Sequence, residues 1–249
     1  MNNKYTQTKG NESYAGVTEL ISFEIGLRNY NNHTAKLIYK SINFGKLIDH
    51  SSKVIDFGAG IGTIAEILRN KYQLIIECIE IDSALITILG KKNFKTFSNI
   101  EKINSKYKYI YTSNVLEHIE DDLGALKKLN NILEPQGKMI IYVPANPILF
   151  SDFDYRVGHF RRYKRKELVK IAKNAGFIIE KCTYSDSLGF WAALLFKAKI
   201  KIFKNSNVSQ KNLEFYDRFI YPISKILDFI GFKFLFGKNI LLVVKKSGN

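Results

Sequence analysis

The sequence predicts a doubly wound α/β fold, a mostly parallel sheet with helices on both faces. Three observations carry that prediction. Val54-Ile-Asp-Phe-Gly-Ala-Gly-Ile-Gly-Thr63 reads as a buried strand running into a glycine turn, and Ile64 to Asn70 continues as a helix with Ile64, Ile67 and Leu68 apolar. Strand-length apolar runs at Leu74–Ile81, Tyr107–Thr112, Lys138–Val143 and Phe177–Tyr184 then alternate with helix-period segments. Turn residues punctuate them: Pro135-Gln-Gly137 ends the helix from Leu123 to Leu133, Pro144 closes a strand, and Gly176 caps the helix from Arg165 to Asn174.

The chain's 249 residues suffice for one core, so a single domain with embellishments is expected. The polar stretch Met1 to Gly10 does not read as a signal peptide, and no apolar run reaches the length of a membrane span. Cys78 and Cys182 have no metal or redox spacing, which suggests a reduced, cytoplasmic setting and packing roles. Charge is distributed unevenly. Residues 1–154 carry +1 and residues 155–249 carry +14 of the net +15. Such asymmetry points to an anionic partner, such as a phosphorylated substrate, a membrane surface or a nucleic acid, or else to solubility alone.

The glycine turn marks the crevice where such sheets bind ligands. Its spacing is G-x-G-x-G, and Thr63 takes the sixth position where a dinucleotide fingerprint needs glycine. Asp56, two residues before Gly58, would repel a pyrophosphate and suit a ligand bearing an ammonium and a sulfonium. In Asp56, Gly58, Gly60 and Gly62 the chain resembles the class I S-adenosylmethionine (SAM) methyltransferases. The resemblance implies a Rossmann-like, seven-stranded sheet with its last strand antiparallel. A nucleotide-binding or ligand-free α/β domain is the plain alternative.

Elements in chain order extend the resemblance. Residues 1–32 read as a lead-in, and Asn32 to Ile48 as a helix with Leu37, Ile38, Ile42 and Phe44 as its apolar face. An N-terminal helical segment covers the cofactor in many members of this class, and Tyr14, Arg28 and Tyr30 either take part or simply pack. Glu80 lies 22 residues beyond Gly58, near the spacing at which an acid meets ribose hydroxyls. The resemblance gives Glu80 that role and places Ile81 beside the adenine; Asp82 is either a rival for the ribose or the cap of the helix from Ser83 to Leu89. After a short third strand at Lys95–Phe97, relatives carry an acid for the adenine amino group. Here Ser98-Asn99-Ile100-Glu101 departs from that, leaving Asn99 or backbone groups.

The phrase Val115-Leu-Glu-His-Ile119 follows the fourth strand and resembles the post-strand motif of many such enzymes. It implies Asn114 under the methionine part of SAM, with Glu117 and His118 either touching substrate or holding the loop. Some relatives bind a divalent metal through Glu-x-x-Glu-His; Asn114 stands at the first acidic position, so no metal is expected.

Pro144 to Tyr163 lacks clear periodicity and crowds aromatics, acids, His159, Arg161 and Arg162 over the expected site. It resembles a bacterial subgroup with V-P-A followed by G-H-x-R-R-Y, many of whose members are tied to glycan or lipid-linked sugar pathways. His159 could take a proton from a nucleophile, and Arg161 and Arg162, with Tyr155 and Tyr163, could hold an anionic acceptor. The alternative is that His159 and Tyr163 brace the loop while the arginines pair with Asp152 and Asp154.

Residues 185–236 read as a helical insertion, with Trp191, Leu194, Leu195, Phe196, Ile200, Ile202 and Phe203 alternating with Lys197, Lys199, Lys201 and Lys204, and a second amphipathic run from Phe215 to Phe236. The readings are a pocket lid, an interfacial helix on an anionic membrane, or a single-stranded nucleic-acid surface, the last without a supporting RNA-binding motif. Ile240 to Val244 is the final strand. The expected activity is methyl transfer from SAM to an oxygen or nitrogen of a small-molecule or lipid-linked acceptor, against the alternatives of a non-catalytic SAM-fold scaffold or a peripheral membrane module.

Overall fold

A computed structural model describes residues 17–43, 51–203 and 209–248. Tyr14, Phe44, Ile48 and Lys204 lie outside the described residues. Two helices, α1 (Val17–Gly26) and α2 (Arg28–Ile42), precede the sheet. Strand β1 (Lys53–Phe57) is followed by α3 (Thr63–Tyr72), β2 (Ile75–Ile79), α4 (Ser83–Lys91), β3 (Lys95–Phe97), β4 (Tyr107–Ser113) and α5 (Asp122–Ile132). Then come β5 (Leu133–Pro144), the short α6 (Asp152–Arg156), α7 (Arg165–Asn174) and β6 (Phe177–Ser185). The insertion comprises α8 (Ser187–Phe203), α9 (Gln210–Phe215), a π-helical turn (Tyr216–Ile220) and α10 (Tyr221–Phe229), and β7 (Asn239–Lys246) ends the fold.

The seven strands form one sheet in the order β3-β2-β1-β4-β5-β7-β6. β1 to β5 pair in parallel, and β7 runs antiparallel between β5 and β6. The order reverses at β1 and β4, so their carboxyl ends open the crevice that the sequence pointed to.

Alternation along the strands splits the core into two layers. Ile55, Ile110, Met139 and Ile141 pack with Leu126 and Leu129 of α5 and Leu168 of α7. Val54, Tyr109, Tyr111, Ile140 and Tyr142 face Ala35 and Ile38 of α2 and Ala65 and Leu68 of α3. Each fully buried leucine or isoleucine contributes about 2 kcal/mol of transfer free energy.

Two expectations are corrected. Residues 17–32 are not a lead-in: they form α1 and the start of α2, and Tyr30 is buried among Tyr142 and Tyr221. The aperiodic loop contains α6, whose start is fixed by Asp154 accepting the backbone N–H of Ser151 at 2.9 Å.

Candidate functional site

The glycine turn is built as its residues require. Gly58, Gly60 and Gly62 adopt φ of +75°, +57° and +81°, where an L side chain is strained. A Cβ on Gly58 would lie 2.5 Å from both methyls of Val115, and one on Gly62 would lie 2.8 Å from Leu89. The turn is therefore clamped against the segment after β4, three residues before His118. Leu20 of α1 lies over Gly60, 3.4 Å from where a Cβ would stand, and Phe23 of α1 meets Phe153 of α6 at 6.0 Å between ring centroids. Thus α1 spans from the turn to the loop after β5.

Two carboxylates flank the turn. Asp56, at the end of β1, is buried and accepts the Tyr111 hydroxyl at 2.7 Å. Burial pushes its pKa up to about 7, the Tyr111 bond opposes that rise, and the charge of Glu80 adds to it. Glu80, just past β2, is also buried and accepts the N–H groups of Gly60 at 2.8 Å, Ile81 at 2.8 Å and Asp82 at 3.1 Å. Among the described residues neither acid has an ion-pair partner, in a chain of net charge +15.

The rest of the expected cofactor set falls around this edge. Ile81 is 82% exposed beside Glu80. Asp82 caps α4, accepting from Ala84 and Leu85, which settles it as the helix cap. Asn99 spends its side-chain oxygen on the N–H of Lys102, capping a short 3-10 turn. Asn114 takes φ of +56° at the end of β4 and donates its N–H to Tyr142 O at 2.8 Å. Arg28 starts α2 at the surface.

The two histidines singled out in the sequence come together: the rings of His118 and His159 meet edge to face at 4.5 Å. His118 ends a 3-10 turn (Leu116–His118), and burial, with a smaller effect from His159, lowers its pKa to about 4. His159 has its Nδ1 2.8 Å from Asp154 Oδ1, and its Nε2 lies 3.8 Å from Glu117 Oε1. Burial raises the Asp154 carboxyl, but the His159 bond and the Arg162 charge outweigh it and hold it at about 2. An ionised Asp154 only accepts, so His159 carries its neutral-form proton on Nδ1 and presents a lone pair at Nε2. Glu117 is fully buried, neither carboxylate oxygen has a hydrogen-bond partner among the described residues, and burial pushes its pKa up to about 8.

Glu117, His118 and His159 each bring one potential ligand atom within 4.8 Å of the others, a set that could hold a metal ion. The expectation of no metal rested on Asn114, which is not among those atoms.

The acceptor-side residues divide. Tyr155 is 64% exposed and stands edge-on to Phe150 at 4.8 Å, open to a ligand. Tyr163 is buried instead, its hydroxyl bonded to Leu116 O at 3.1 Å and Asp122 Oδ2 at 2.9 Å; it braces the loop rather than facing an acceptor. Arg162 pairs with Asp154 at 2.8 Å, and its buried Nη1 has no hydrogen-bond partner among the described residues. Arg161 pairs with Asp122 at 2.8 Å, not with Asp152, and donates to Glu120 O.

Comparison with known proteins settles the family. The family described as "Methyltransferase domain" matches residues 30–181. The chain belongs to the methyltransferase-domain family. No curated protein matches this methyltransferase-domain protein by sequence. Its fold is shared with Haemonchus contortus phosphoethanolamine N-methyltransferase 2, solved with SAM, at 18% identity and TM-score 0.59, covering 97% of this chain and 61% of that one. It is shared too with the cyclopropane synthase MmaA2 of Mycobacterium tuberculosis, at 14% identity and TM-score 0.53, covering 85% of this chain and 83% of that one. The [4+2]-cyclase SpnF has the same fold at 11% identity and TM-score 0.56, with 98% and 100% covered. Those likenesses establish architecture alone.

Asp154 and Glu117 are the residues whose importance the sequence hides. Asp154 reads only as a partner for arginine, and its five-residue offset from His159 gains meaning once the turn after α6 brings His159 back against it. Glu117 adjoins His118 in a motif where either could face substrate, and only burial separates them.

Proposed function

We propose that the protein transfers a methyl group from SAM to an oxygen or nitrogen of a small-molecule or lipid-linked acceptor. The observation that carries this reading is the pair of buried acids, Asp56 and Glu80, that flank the glycine turn without a cation. A ligand with an ammonium and a sulfonium supplies the positive charge that Asp56 lacks, and its ribose hydroxyls can donate to Glu80. The turn also fits such a ligand, because a Cβ would close it at Gly58 and Gly62. Asp56, Gly58, Gly60, Gly62 and Glu80 would hold SAM, with Ile81 offering an exposed apolar face to its adenine and Asn114 placed at the methionine end. When bound, SAM supplies an electrophilic methyl group.

The remaining work belongs to the chain's own side chains. α1 and the loop after β5 enclose the edge of the crevice, which favours near-attack geometry and excludes water. His159 Nε2 accepts the proton of an attacking hydroxyl while Asp154 fixes the ring tautomer and offsets the imidazolium charge. His118 packs on the same ring in its neutral state. Tyr155, exposed at the loop after β5, would be available to the acceptor. Both arginines are ion-paired, and Arg162 keeps one donor, Nη1, without a hydrogen-bond partner among the described residues; that donor would serve an anionic group on the acceptor.

The test is incorporation of label from methyl-labelled SAM into glycan and lipid fractions of cells, comparing the wild-type protein with His159→Asn. Label that depends on His159 supports transfer with a protein base. Absence of incorporation into any fraction by wild-type protein counts against the activity. Loss of label in the presence of a chelator would move His159 from proton transfer to ion binding together with Glu117 and His118.

A further inference from the structure

We propose that the helical insertion between β6 and β7 docks on an anionic phospholipid membrane. α10 is inverted for a helix in water. Its buried face carries Tyr221, Ser224 and Asp228, while Ile223, Ile226, Phe229 and Ile230, at 52%, 62%, 85% and 62% exposure, face outward along it and its C-terminal end. Phe219, Ile223, Ile226 and Ile230 follow one another at intervals of four, three and four, a single stripe on a helix. Phe232, Phe234 and Leu235 extend it. Of nineteen exposed large hydrophobic residues among the described residues, eleven lie between Trp191 and Leu235. That concentration exceeds the scattered apolar exposure of an ordinary surface and marks an interaction site.

Hydrogen bonds hold the stripe outward. Asp228 accepts the N–H groups of Asp186 at 2.7 Å and Ser187 at 3.1 Å, anchoring α10 to the start of α8. Ser224 donates to Asp186 at 2.8 Å and accepts the N–H of Leu188 at 2.9 Å. Asp217 accepts the N–H groups of Asn29 and Tyr30, each at 2.8 Å, and so caps α2 from the far end of the chain. Rolling the apolar face inward would break all of these bonds.

Charge identifies the occupant. Residues 185–236 contain eight Lys and Arg against four acids. Asp186, Asp217 and Asp228 are buried by the bonds just described, leaving Glu214 as the exposed acid. Arg218, Lys225 and Lys233 stand over the rings of Phe219, Tyr221 and Phe234, beside the stripe. A second copy docking through this face would set cations against cations. An anionic bilayer takes the apolar stripe at the acyl boundary and the cations among its headgroups. Lys197 of α8 donates to Ile148 O at 2.7 Å, which ties the docking element to the loop carrying His159. Resting on the transfer reading above, the acceptor is then lipid-borne.

Flotation of the full chain with vesicles tests this, using phosphatidylcholine alone and phosphatidylcholine with roughly 30% phosphatidylglycerol. The expected result is binding to the anionic vesicles only, weakened by high salt. Phe229→Ser with Ile230→Ser, both exposed in the fold, should weaken it about tenfold or more, and Lys225→Gln with Lys233→Gln should remove much of its salt dependence. Failure of wild-type protein to bind anionic vesicles, or equal binding by the serine variant, would overturn the proposal. So would a wild-type dimer that the serine variant converts to monomer without any vesicle binding, since a second copy then covers the face. SAM affinity, measured on the same samples, reports on the transfer reading separately.

Discussion

His118 and His159 are 41 positions apart in sequence, yet their rings meet at 4.5 Å because the segments after β4 and β5 converge on one edge of the sheet. Asp154 holds His159, and the buried Glu117 carboxyl has no hydrogen-bond partner among the described residues. A base positioned by a carboxylate should contribute about 100-fold to 10,000-fold to turnover of a hydroxyl acceptor. His159→Asn is therefore expected to lower kcat by that order while leaving the Kd for SAM within about twofold. Calorimetry and initial rates on the same preparation separate the two effects.

Asp154 joins the site to stability. Its folded pKa of about 2 lies below its ordinary value of 3.8. Its contribution is present above about pH 4 and is lost as pH falls toward 2. Asp154→Asn strands His159 and Arg162 and should cost about 3 kcal/mol at pH 7. Urea titrations should show the gap between wild type and variant closing as pH approaches 2; a gap independent of pH would mean that the carboxylate charge is not what matters.

Asp56 and Glu117 work in the opposite sense. Their folded pKa values, about 7 and about 8, lie above the ordinary 3.8 and 4.5. The ligand-free fold keeps protons that the unfolded chain releases, so this stability is complete below about pH 4 and is lost as pH rises through 7 and 8. The thermal midpoint without ligand should fall from pH 5 to pH 8, and Asp56→Asn with Glu117→Gln should flatten that fall. SAM affinity should rise over the same range as Asp56 ionises.

Gly58 is tested through its neighbour. Gly58→Ala combines a φ of +75° with a Cβ 2.5 Å from the Val115 methyls, and should cost about 3 kcal/mol. Adding Val115→Ala relieves the contact but not the backbone strain, so denaturation midpoints should recover in part. Full recovery would show that conformation at Gly58 is unimportant.

Tyr163 distinguishes a brace from a binding residue. Tyr163→Phe removes the single O–H shared by Leu116 O and Asp122, the latter still paired with Arg161, which should cost about 1–3 kcal/mol of stability. The KM for the acceptor should stay near wild type. A raised KM with unchanged stability would return Tyr163 to the acceptor side.

The sheet was readable because most strands contain an apolar run and most connections carry their own punctuation; Pro135-Gln-Gly137 instead lies inside β5, where the pairing with β4 shifts register. The strand–turn–helix around Gly58 needed only local information. The post-strand motif and the G-H-x-R-R-Y loop were visible as residues, but not which of them faces inward. Arg161 looks like Arg162 in sequence, and α6 alone makes one the partner of Asp154 while the other reaches Asp122. α1 escaped notice because its role lies in what Leu20 and Phe23 cover, turn and loop residues far along the chain. Similarly, the insertion's composition showed aromatics and lysines together, whereas the inversion of α10 depends on Asp186 and Asp228 turning inward.

Calorimetric titration of the purified protein with SAM, at pH 8 and beside Asp56→Ala, tests the central claim most directly. The two unpaired carboxylates at the glycine turn predict micromolar binding by the wild-type protein and none by the variant. Equal affinity in the two proteins, or no heat of binding in the wild type, would contradict the assignment of that turn to a cationic methyl donor.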